Sequence, residues 1–239
     1  METNLLILRS KEDAKILASD LKNIGLNSSI FPIFELIELT PILPRISDFS
    51  YIITSSKNGI RSIAKKFPDR DVCMYVVGEG SAEEAYLNGF TNIRVGNNNI
   101  IELCKKIKSD LSQKSTNLLY VCGVNQKYDV VKALSIHGHN VEKLVLYDLI
   151  PISCLSQGVL KKIENGIING VIFFSPRSVA VFSELLKKTG KGKLTEQLRA
   201  FCISRDIAKE VNRLNWKMSY VSSTSSKNSL IELLNYLHN

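Results

Sequence analysis

The stretch that decides the fold is YIITSSKNGI, residues 51–60. It begins with a short apolar run at 51–54, passes through two serines, and continues into 57–66, where apolar residues return at helical spacing. An apolar strand that turns through small hydroxyl residues into a helix is the repeating element of α/β proteins. The stretch therefore predicts a buried strand followed by a helix that packs on its sheet.

The same alternation continues along the chain. Apolar runs predict further strands at 4–9, 29–34, 74–77, 118–122, 142–147, 171–174 and 200–203. Helical spacing predicts helices at 13–25, 81–88, 100–111, 128–136, 178–188, 207–214 and 229–237, with Asn99 as the N-cap of the third. Continuous Leu, Ile and Val content is typical of parallel strands that are buried on both faces. The sequence therefore predicts an α/β fold with parallel sheets flanked by helices.

An internal repeat indicates two similar lobes. An offset of 113 residues places LLIL at 5–8 over LLYV at 118–121, and Phe34 over Tyr147. An offset of 120 places Ser55 over Ser175, and an offset of 126 places Gly78 over Ser204. The matched apolar positions predict that both lobes are built from one α/β unit.

The repeat also predicts the domain boundaries. Residues 1–32 and 152–239 form a discontinuous lobe 1, residues 37–145 form lobe 2, and residues 33–36 and 146–151 form a two-stranded linker. Ligands of open parallel sheets bind beyond the carboxyl ends of the strands. We therefore expect a ligand at those strand ends, in a cleft between the lobes.

Composition excludes several classes of protein. The 239 residues are 44% hydrophobic and 23% charged, which excludes disorder, collagen and coiled coil. No apolar run approaches the ~20 residues of a membrane span, and the first residues, METN, have no signal-peptide pattern. The five cysteines have no CxxC spacing and indicate reduced thiols. These features predict a cytoplasmic protein without a membrane partner.

The net charge of +8 favours an anionic partner. The lysines occur as short pairs on predicted helix faces, and zinc-finger spacing and RNP-like strands are absent, so nucleic acid is not expected. The GxG at 78–80 lacks the third glycine of a dinucleotide fingerprint. His137 and His139 have no nearby third ligand, so no metal is expected. An anionic small molecule fits these observations best.

Small hydroxyl and glycine residues stand where predicted strands turn into helices. Backbone N–H groups at a helix start attract anions, and a hydroxyl there adds a donor. Simple N-capping is the alternative at each position. Because several such turns are expected to converge on one cleft, they predict a polyanion site. The candidate residues are Thr54, Ser55, Ser56, Gly78, Ser81, Gly123, Ser175, Pro176 and Ser204.

A family resemblance is carried by LILRS (6–10), YIITSSKNGI (51–60), YVVGEGSAEEA (75–85), LNGF (87–90), LLYVCG (118–123), VLYDLIP (145–151) and VIFFSPRSVAVF (171–182). In their order and spacing these segments resemble the uroporphyrinogen-III synthase family over essentially the whole chain. The resemblance implies two α/β lobes joined by a two-stranded linker. It adds Arg9 and Lys127 to the candidate substrate-binding residues, with Lys127 standing where the family often has arginine.

The resemblance implies a cofactor-free, monomeric lyase of haem biosynthesis. Such an enzyme closes hydroxymethylbilane into uroporphyrinogen III, inverts ring D through a spiro intermediate and releases water. The substrate carries an acetate and a propionate on every pyrrole, which agrees with the positive charge of the chain. One turn departs from the family pattern, because Ser204 replaces a glycine and Ile207 replaces a hydroxyl residue.

The resemblance also implies a catalytic role for Tyr147. An unperturbed phenol has a pKa of about 10 and can donate a proton or a hydrogen bond at neutral pH. The alternative is an aromatic ring that only packs in the linker, like its repeat partner Phe34. The competing function is a non-catalytic two-lobed binding protein for a polyanionic metabolite, which the fold alone would permit.

Overall fold

The structure is a computed structural model that describes residues 4–96, 99–112 and 115–238. Residues 1–3, 97–98, 113–114 and 239 lie outside the described residues. They include most of the METN stretch and a few positions of both predicted lobes. The chain divides into two compact units: residues 1–35 and 150–239 form unit 1, and residues 36–149 form unit 2.

Strands and helices alternate along both units. In chain order the strands are β1 (Asn4–Ile7), β2 (Asn27–Ile30), β3 (Phe34–Glu38), β4 (Tyr51–Thr54), β5 (Cys73–Val77), β6 (Ile93–Gly96), β7 (Asn117–Gly123), β8 (Asn140–Pro151), β9 (Gly170–Phe173), β10 (Arg199–Cys202) and β11 (Met218–Val221). The α-helices are α1 (Lys11–Asn23), α2 (Lys57–Lys66), α3 (Gly78–Leu87), α4 (Ile100–Asp110), α5 (Val130–Ser135), α6 (Gln157–Glu164), α7 (Pro176–Lys188), α8 (Arg205–Val211) and α9 (Lys227–His238). Among these helices, none is both long enough and apolar enough to cross a membrane.

Each unit is built on a sheet whose strands are mainly parallel. The strand order is β11-β10-β9-β1-β2 in unit 1 and β3-β8-β7-β4-β5-β6 in unit 2. All the pairings from β11 to β2 and from β8 to β6 are parallel. The predicted α/β class with parallel sheets flanked by helices is therefore confirmed.

Strand β3 pairs with β8 at the edge of the second sheet. The amide of Leu39 donates to the carbonyl of Leu146, and the amide of Ile152 donates to the carbonyl of Ile33. Residue numbers rise along one strand while they fall along the other, so this pairing is antiparallel. The boundaries between unit 1 and unit 2 fall inside these two strands.

Alternating side chains place a hydrophobic core on each face of both sheets. In unit 1, Leu6 and Leu8 of the β1 segment pack with α6, α7 and α8, whereas Leu5 and Ile7 pack with α1 and α9. In unit 2, the β4 residue Ile52 faces α2 and α3, whereas Ile53 faces α4 and α5. Burial on both faces explains why the strands read as continuous apolar runs.

Several elements differ from the predicted ones. The strands β6 and β11 and the helix α6 were not predicted. β11 lies at a sheet edge and is mostly exposed, and β6 is only partly buried, so neither forms a continuous apolar run. Helix α5 begins at Val130, later than predicted, because the Asp129 side chain caps it. The predicted cap Asn99 is confirmed, since its side chain accepts from the amides of Ile101 and Glu102.

The structure corrects one register of the repeat. The parallel pairings match β1 to β7 at an offset of 113 and β5 to β10 at 126, but they match β4 to β9 at 119 instead of 120. Serine Ser56, and not Ser55, is therefore equivalent to Ser175, and both cap the following helix. A slip of one residue exchanges the two faces of a strand, so apolar content alone could not detect it where both faces are buried.

Candidate functional site

The phenol of Tyr147 lies at the carboxyl edge of the sheet in unit 2. The residue is 5% exposed, and its Oη is 2.7 Å from Oγ of Ser56. Ser56 caps helix α2, because its Oγ accepts a hydrogen bond of 3.0 Å from the amide of Gly59. The first turn of a helix and the end of a neighbouring strand thus meet at one hydroxyl group.

An irregularity of β8 turns Tyr147 to this position. Cys122 pairs with Val145, but the next residue, Gly123, pairs with Tyr147, so Leu146 is an extra residue in the ladder. Such a bulge changes the face to which the following side chain points. As a result Tyr147 joins the same hydrophobic cluster as Leu146, on the face that packs against α2.

Gly123 provides the space for the tyrosine ring. A Cβ atom on Gly123 would lie 2.6 Å from Cε2, 2.9 Å from Cζ and 3.1 Å from Cδ2 of Tyr147. Ordinary contacts between carbon atoms are about 3.5–4.0 Å long. The predicted substrate-binding residue Gly123 is itself buried beneath the ring, and its effect on the site is to admit Tyr147.

Burial keeps the phenol protonated. It raises the pKa of Tyr147 above the ordinary value of 10.0, and the hydrogen bond with Ser56 acts in the opposite direction. Burial also raises the pKa of the neighbouring Tyr120, whose phenol donates to Oε1 of Gln126 at 2.7 Å. At neutral pH both phenols are therefore donors, and neither is a base.

The predicted residues of the β4 turn separate into different roles. Thr54 is fully buried, and a Cβ on Gly59 would lie 2.2 Å from its Oγ1. In this structure the Thr54 hydroxyl lies under the first turn of α2, and its contact with substrate stays a prediction. Ser55 is half-buried, and hydrogen bonding with its side chain acts against the burial that raises the pKa of Tyr120.

The β5 turn and the segment after β7 hold the other predicted residues of unit 2. Gly78 has a φ of +70°, a conformation that favours glycine, while Ser81 is 8% exposed. Lys127 is exposed in the segment between β7 and α5. The Nε2 group of nearby Gln126 donates to the carbonyl of Gly123 and fixes the start of that segment.

One lysine at the carboxyl edge of the unit 2 sheet was not among the predicted site residues. Lys57 is the first residue of α2, and its Cε lies 3.5 Å from the position of a Cβ on Gly80. Its Nζ is 3.9 Å from Oε2 of Glu84, whose carboxylate accepts two shorter hydrogen bonds from Arg61. The cation therefore lies between the β4 and β5 turns, and its position directly after Ser56 was the available signal.

Unit 1 has a similar edge, and the cations that lie there are arginines. Oγ of Ser175 accepts from the amide of Ser178 at 3.1 Å, and Pro176 occupies the first position of α7. The next residue, Arg177, which was not predicted, stacks over the ring of Phe34 at 4.8 Å. Arg9 stacks over Phe174 at 4.3 Å and forms an ion pair with Asp13. These contacts hold the guanidinium groups at the strand ends.

The turn after β10 differs from its counterpart after β5. Ser204 stands at the N-cap of α8 but makes no side-chain capping bond, and its φ of −154° contrasts with +70° at the equivalent Gly78. Ile207 is 2% exposed and belongs to the core of unit 1. The hydroxyl that the resemblance led us to expect at this position is absent, and Ile207 makes an apolar contact instead.

The described residues offer no cluster for a metal ion. Within 4–96, 99–112 and 115–238, no group of three or more His, Cys, Asp or Glu side chains is arranged to hold one. The chemistry of the two edges consists of hydroxyl groups, backbone amides and cations. Such groups bind carboxylates and donate hydrogen bonds.

Comparison with known proteins identifies the family. The family described as uroporphyrinogen-III synthase HemD matches residues 14–232. A crystal structure of uroporphyrinogen-III synthetase from Helicobacter pylori is similar, with a TM-score of 0.66, 16% identity, and coverage of 99% of this chain and 100% of that chain. A mutant uroporphyrinogen III synthase from the extremely thermophilic bacterium Thermus thermophilus has a TM-score of 0.58, 14% identity and coverage of 98% of both chains.

These two similarities show the fold, and the family match covers most of the sequence. No curated protein sequence matches the chain. The prediction made from the seven motif segments is confirmed. The chain belongs to the uroporphyrinogen-III synthase family.

Proposed function

We propose that this chain closes hydroxymethylbilane into uroporphyrinogen III, with the phenol of Tyr147 beside the departing hydroxyl group. The family match supports the reaction. The single observation that supports the role of Tyr147 is its geometry: a buried, protonated phenol whose oxygen already takes part in a 2.7 Å hydrogen bond. Tyr147 is a catalytic residue in this proposal.

The reaction needs little acid or base from the protein. A pyrrole nitrogen supplies the electron pair that breaks the carbon–oxygen bond of the hydroxymethyl group, and the oxygen leaves with a proton as water. In the spiro route the new carbon–carbon bond forms at the substituted α carbon of ring D. The bond from that carbon to the bridge to ring C then breaks and re-forms at the free α carbon of ring D, which releases a proton, so bonds and protons balance. The Tyr147 phenol donates a hydrogen bond to the departing oxygen, where negative charge develops. The remaining task is to hold one folded conformer of the substrate.

Cations and amides at the strand ends bind the carboxylates in this proposal. In unit 2 these groups are Lys57, Lys127 and the amides of the Gly78 turn, and in unit 1 they are Ser175 and Arg177. Arginine forms bidentate contacts with carboxylates, whereas lysine acts as a point charge. The net charge of +8 increases the local concentration of such a substrate.

The test supplies hydroxymethylbilane to the purified chain without added metal or nucleotide, oxidises the product, and separates isomers I and III by chromatography. We expect isomer III from the native sequence. In Tyr147→Phe, turnover should fall by about 10-fold to 1,000-fold, by analogy with the loss of other stabilising donors. Far-ultraviolet circular dichroism should stay unchanged, because the ring remains in its cluster.

Two outcomes would contradict separate parts of the proposal. Formation of isomer I alone, together with binding of the product, would favour the competing non-catalytic binding protein. Native turnover and native isomer ratio in Tyr147→Phe would leave the reaction intact and reduce Tyr147 to a packing residue.

The molecular setting is a second part of the proposal. We propose that the protein is a cytoplasmic monomer and that the two predicted linker strands join its lobes. All five cysteines are free thiols, and four of them, Cys73, Cys104, Cys122 and Cys202, are buried. Free thiols persist in a reducing compartment. Light scattering at assay concentrations should give the mass of one chain, and a dimer mass would overturn the monomer.

A further inference from the structure

We propose that Ser56 is a positioning residue for Tyr147: the serine hydroxyl donates to the phenol oxygen, so that the phenol O–H points toward the substrate. This inference rests on the proposed function. It assigns Ser56 to the chemistry of the site, whereas the sequence had suggested that Ser56 binds a substrate carboxylate. Two observations support this role of Ser56: its own hydrogen-bond contacts, and the difference between unit 2 and the equivalent positions of unit 1.

The contacts of Ser56 allow it to donate to the phenol. Its Oγ accepts a hydrogen bond of 3.0 Å from the amide of Gly59, at the start of α2. Its proton can then be donated to the phenol oxygen of Tyr147, 2.7 Å away, a distance that fits donation in either direction. Amide, serine and phenol form one chain of donors, in which each bond strengthens the next. If the phenol donated to Ser56 instead, its single O–H would be engaged there and could not donate to the departing hydroxyl group.

Unit 1 shows what the same serine does without a phenol. At the offset of 119, Ser175 is equivalent to Ser56 and Ser178 to Gly59, and at 113 Phe34 is equivalent to Tyr147. There the Oγ of Ser175 donates to Oγ of Ser178 at 3.2 Å. Both serines cap their helices, but of the two only Ser56 shares a hydrogen bond with an aromatic residue. The capping function alone therefore does not explain the bond to Tyr147.

Position 59 keeps the Ser56 hydroxyl available. A Cβ on Gly59 would lie 2.2 Å from Oγ1 of Thr54 and 3.4 Å from Oγ of Ser56. A serine at this position, as in unit 1, would collide with Thr54 and offer a competing partner to Ser56. The changes at two positions, glycine for Ser178 and tyrosine for Phe34, thus complement each other. The arrangement places the hydrogen-bond chemistry in unit 2.

The experiment is a double-mutant cycle on turnover. It uses Ser56→Ala, Tyr147→Phe and the combination of both, with kcat and KM measured separately. Ser56→Ala should lower kcat by about tenfold, the effect of one net hydrogen bond, with little change in KM. If Ser56 acts through Tyr147, the double variant should be no slower than Tyr147→Phe alone. Additive losses would overturn the inference, because they would show that Ser56 acts independently of the phenol.

Two further variants separate positioning from capping. Ser56→Thr keeps the hydroxyl and should restore most of the native kcat. Ser56→Asp keeps a capping oxygen, but a carboxylate can only accept hydrogen bonds. The phenol O–H should therefore donate to it and not to the substrate, and this variant should be as slow as Ser56→Ala. Native kcat in Ser56→Asp would overturn the direction of donation.

The matched control is Ser156→Ala, since Ser156 caps α6 in unit 1 by accepting from the amide of Val159. It should lower the melting temperature and leave kcat unchanged. An equal loss of kcat in Ser156→Ala would attribute the effect of Ser56 to stability. Failure of the proposed function is distinguishable from failure of the inference, because formation of isomer I alone by the native chain contradicts the reaction, whereas additive losses in the cycle contradict only the role of Ser56.

Discussion

Gly123→Ala tests the placement of the catalytic ring through a buried residue that lies against the ring of Tyr147. The added methyl carbon would lie 2.6 Å from Cε2 of Tyr147, so the ring would have to retreat by about 1 Å to reach an ordinary contact of 3.5–4.0 Å. The 2.7 Å hydrogen bond between Oη of Tyr147 and Oγ of Ser56 would then lengthen to roughly 3.7 Å, beyond hydrogen-bonding distance. A displacement of this size costs about 100-fold in rate.

The stability of Gly123→Ala should also fall. Crowding in a packed core costs about 1–3 kcal/mol, so the variant should unfold at a lower denaturant concentration and remain folded at the assay temperature. The assay measures kcat for formation of isomer III together with the midpoint of denaturant unfolding. Measurements on Gly123→Ala in the Tyr147→Phe background should show little further loss of kcat, since the phenol is already absent.

Gly96→Ala is the matched control for crowding. A Cβ on Gly96 would lie 2.5 Å from Cδ1 of Leu103, in the same unit and away from the phenol. It should lose a similar amount of stability and keep native kcat. Native kcat in a folded Gly123→Ala variant would refute the ring placement, and equal loss of kcat in both variants would refute the specific role of Tyr147.

Three further predictions concern binding, stability and pH. Ser175→Ala should raise KM severalfold and change kcat less, because the α7 turn binds carboxylates in the proposed function; an effect on kcat alone would contradict that role. Glu84→Gln should destabilise unit 2 by about 1.5–3 kcal/mol in denaturant unfolding, since it removes the charge from the partly buried pair with Arg61, and a loss below about 0.5 kcal/mol would show that this pair is unimportant. Burial raises the pKa of Tyr147 above 10.0, so the stability from its protonated form is complete below the unfolded pKa of about 10 and is lost as pH rises above it. The unfolding free energy of Tyr147→Phe should therefore fall less steeply above about pH 10, and parallel profiles would contradict this.

The class of fold could be predicted because burial on both faces leaves a clear signal. The runs that became β1, β4 and β7 are continuously apolar, and helix α2 was predicted with both of its ends correct. The strand β11 left no such signal, since Met218 and Ser219 are exposed at a sheet edge. The repeat offset that relates β4 to β9 was wrong by one residue. The reason is the same one that made the strands easy to find, because both of their faces are apolar.

The site could be predicted by position but not by role. Ser56 and Thr54 are close in sequence, yet one has a hydroxyl at the sheet edge and the other is fully buried, which depends on the direction of each side chain. The contact between Ser56 and Tyr147 joins residues 91 positions apart and depends on the bulge at Leu146, which no local pattern predicts. The stacking of Arg177 on Phe34 was missed for a similar reason.

The pairing of β3 with β8 has a consequence for how the chain acquires its structure. The pairing of β1 with β9 in unit 1 joins Leu5 to Gly170, so a very long loop must close before that sheet can form. Loop closure costs entropy, and contacts distant in sequence form slowly. Unit 2 is continuous in sequence and is synthesised before the second part of unit 1.

Once β3 and β8 are paired, Ile33 and Ile152 are held side by side, and the intervening residues no longer separate the two parts of unit 1 as an open chain. The effective loop between β2 and α6 then shrinks to a few residues. We therefore expect unit 2 to fold first during synthesis and to act as the template on which the interrupted sheet of unit 1 is completed.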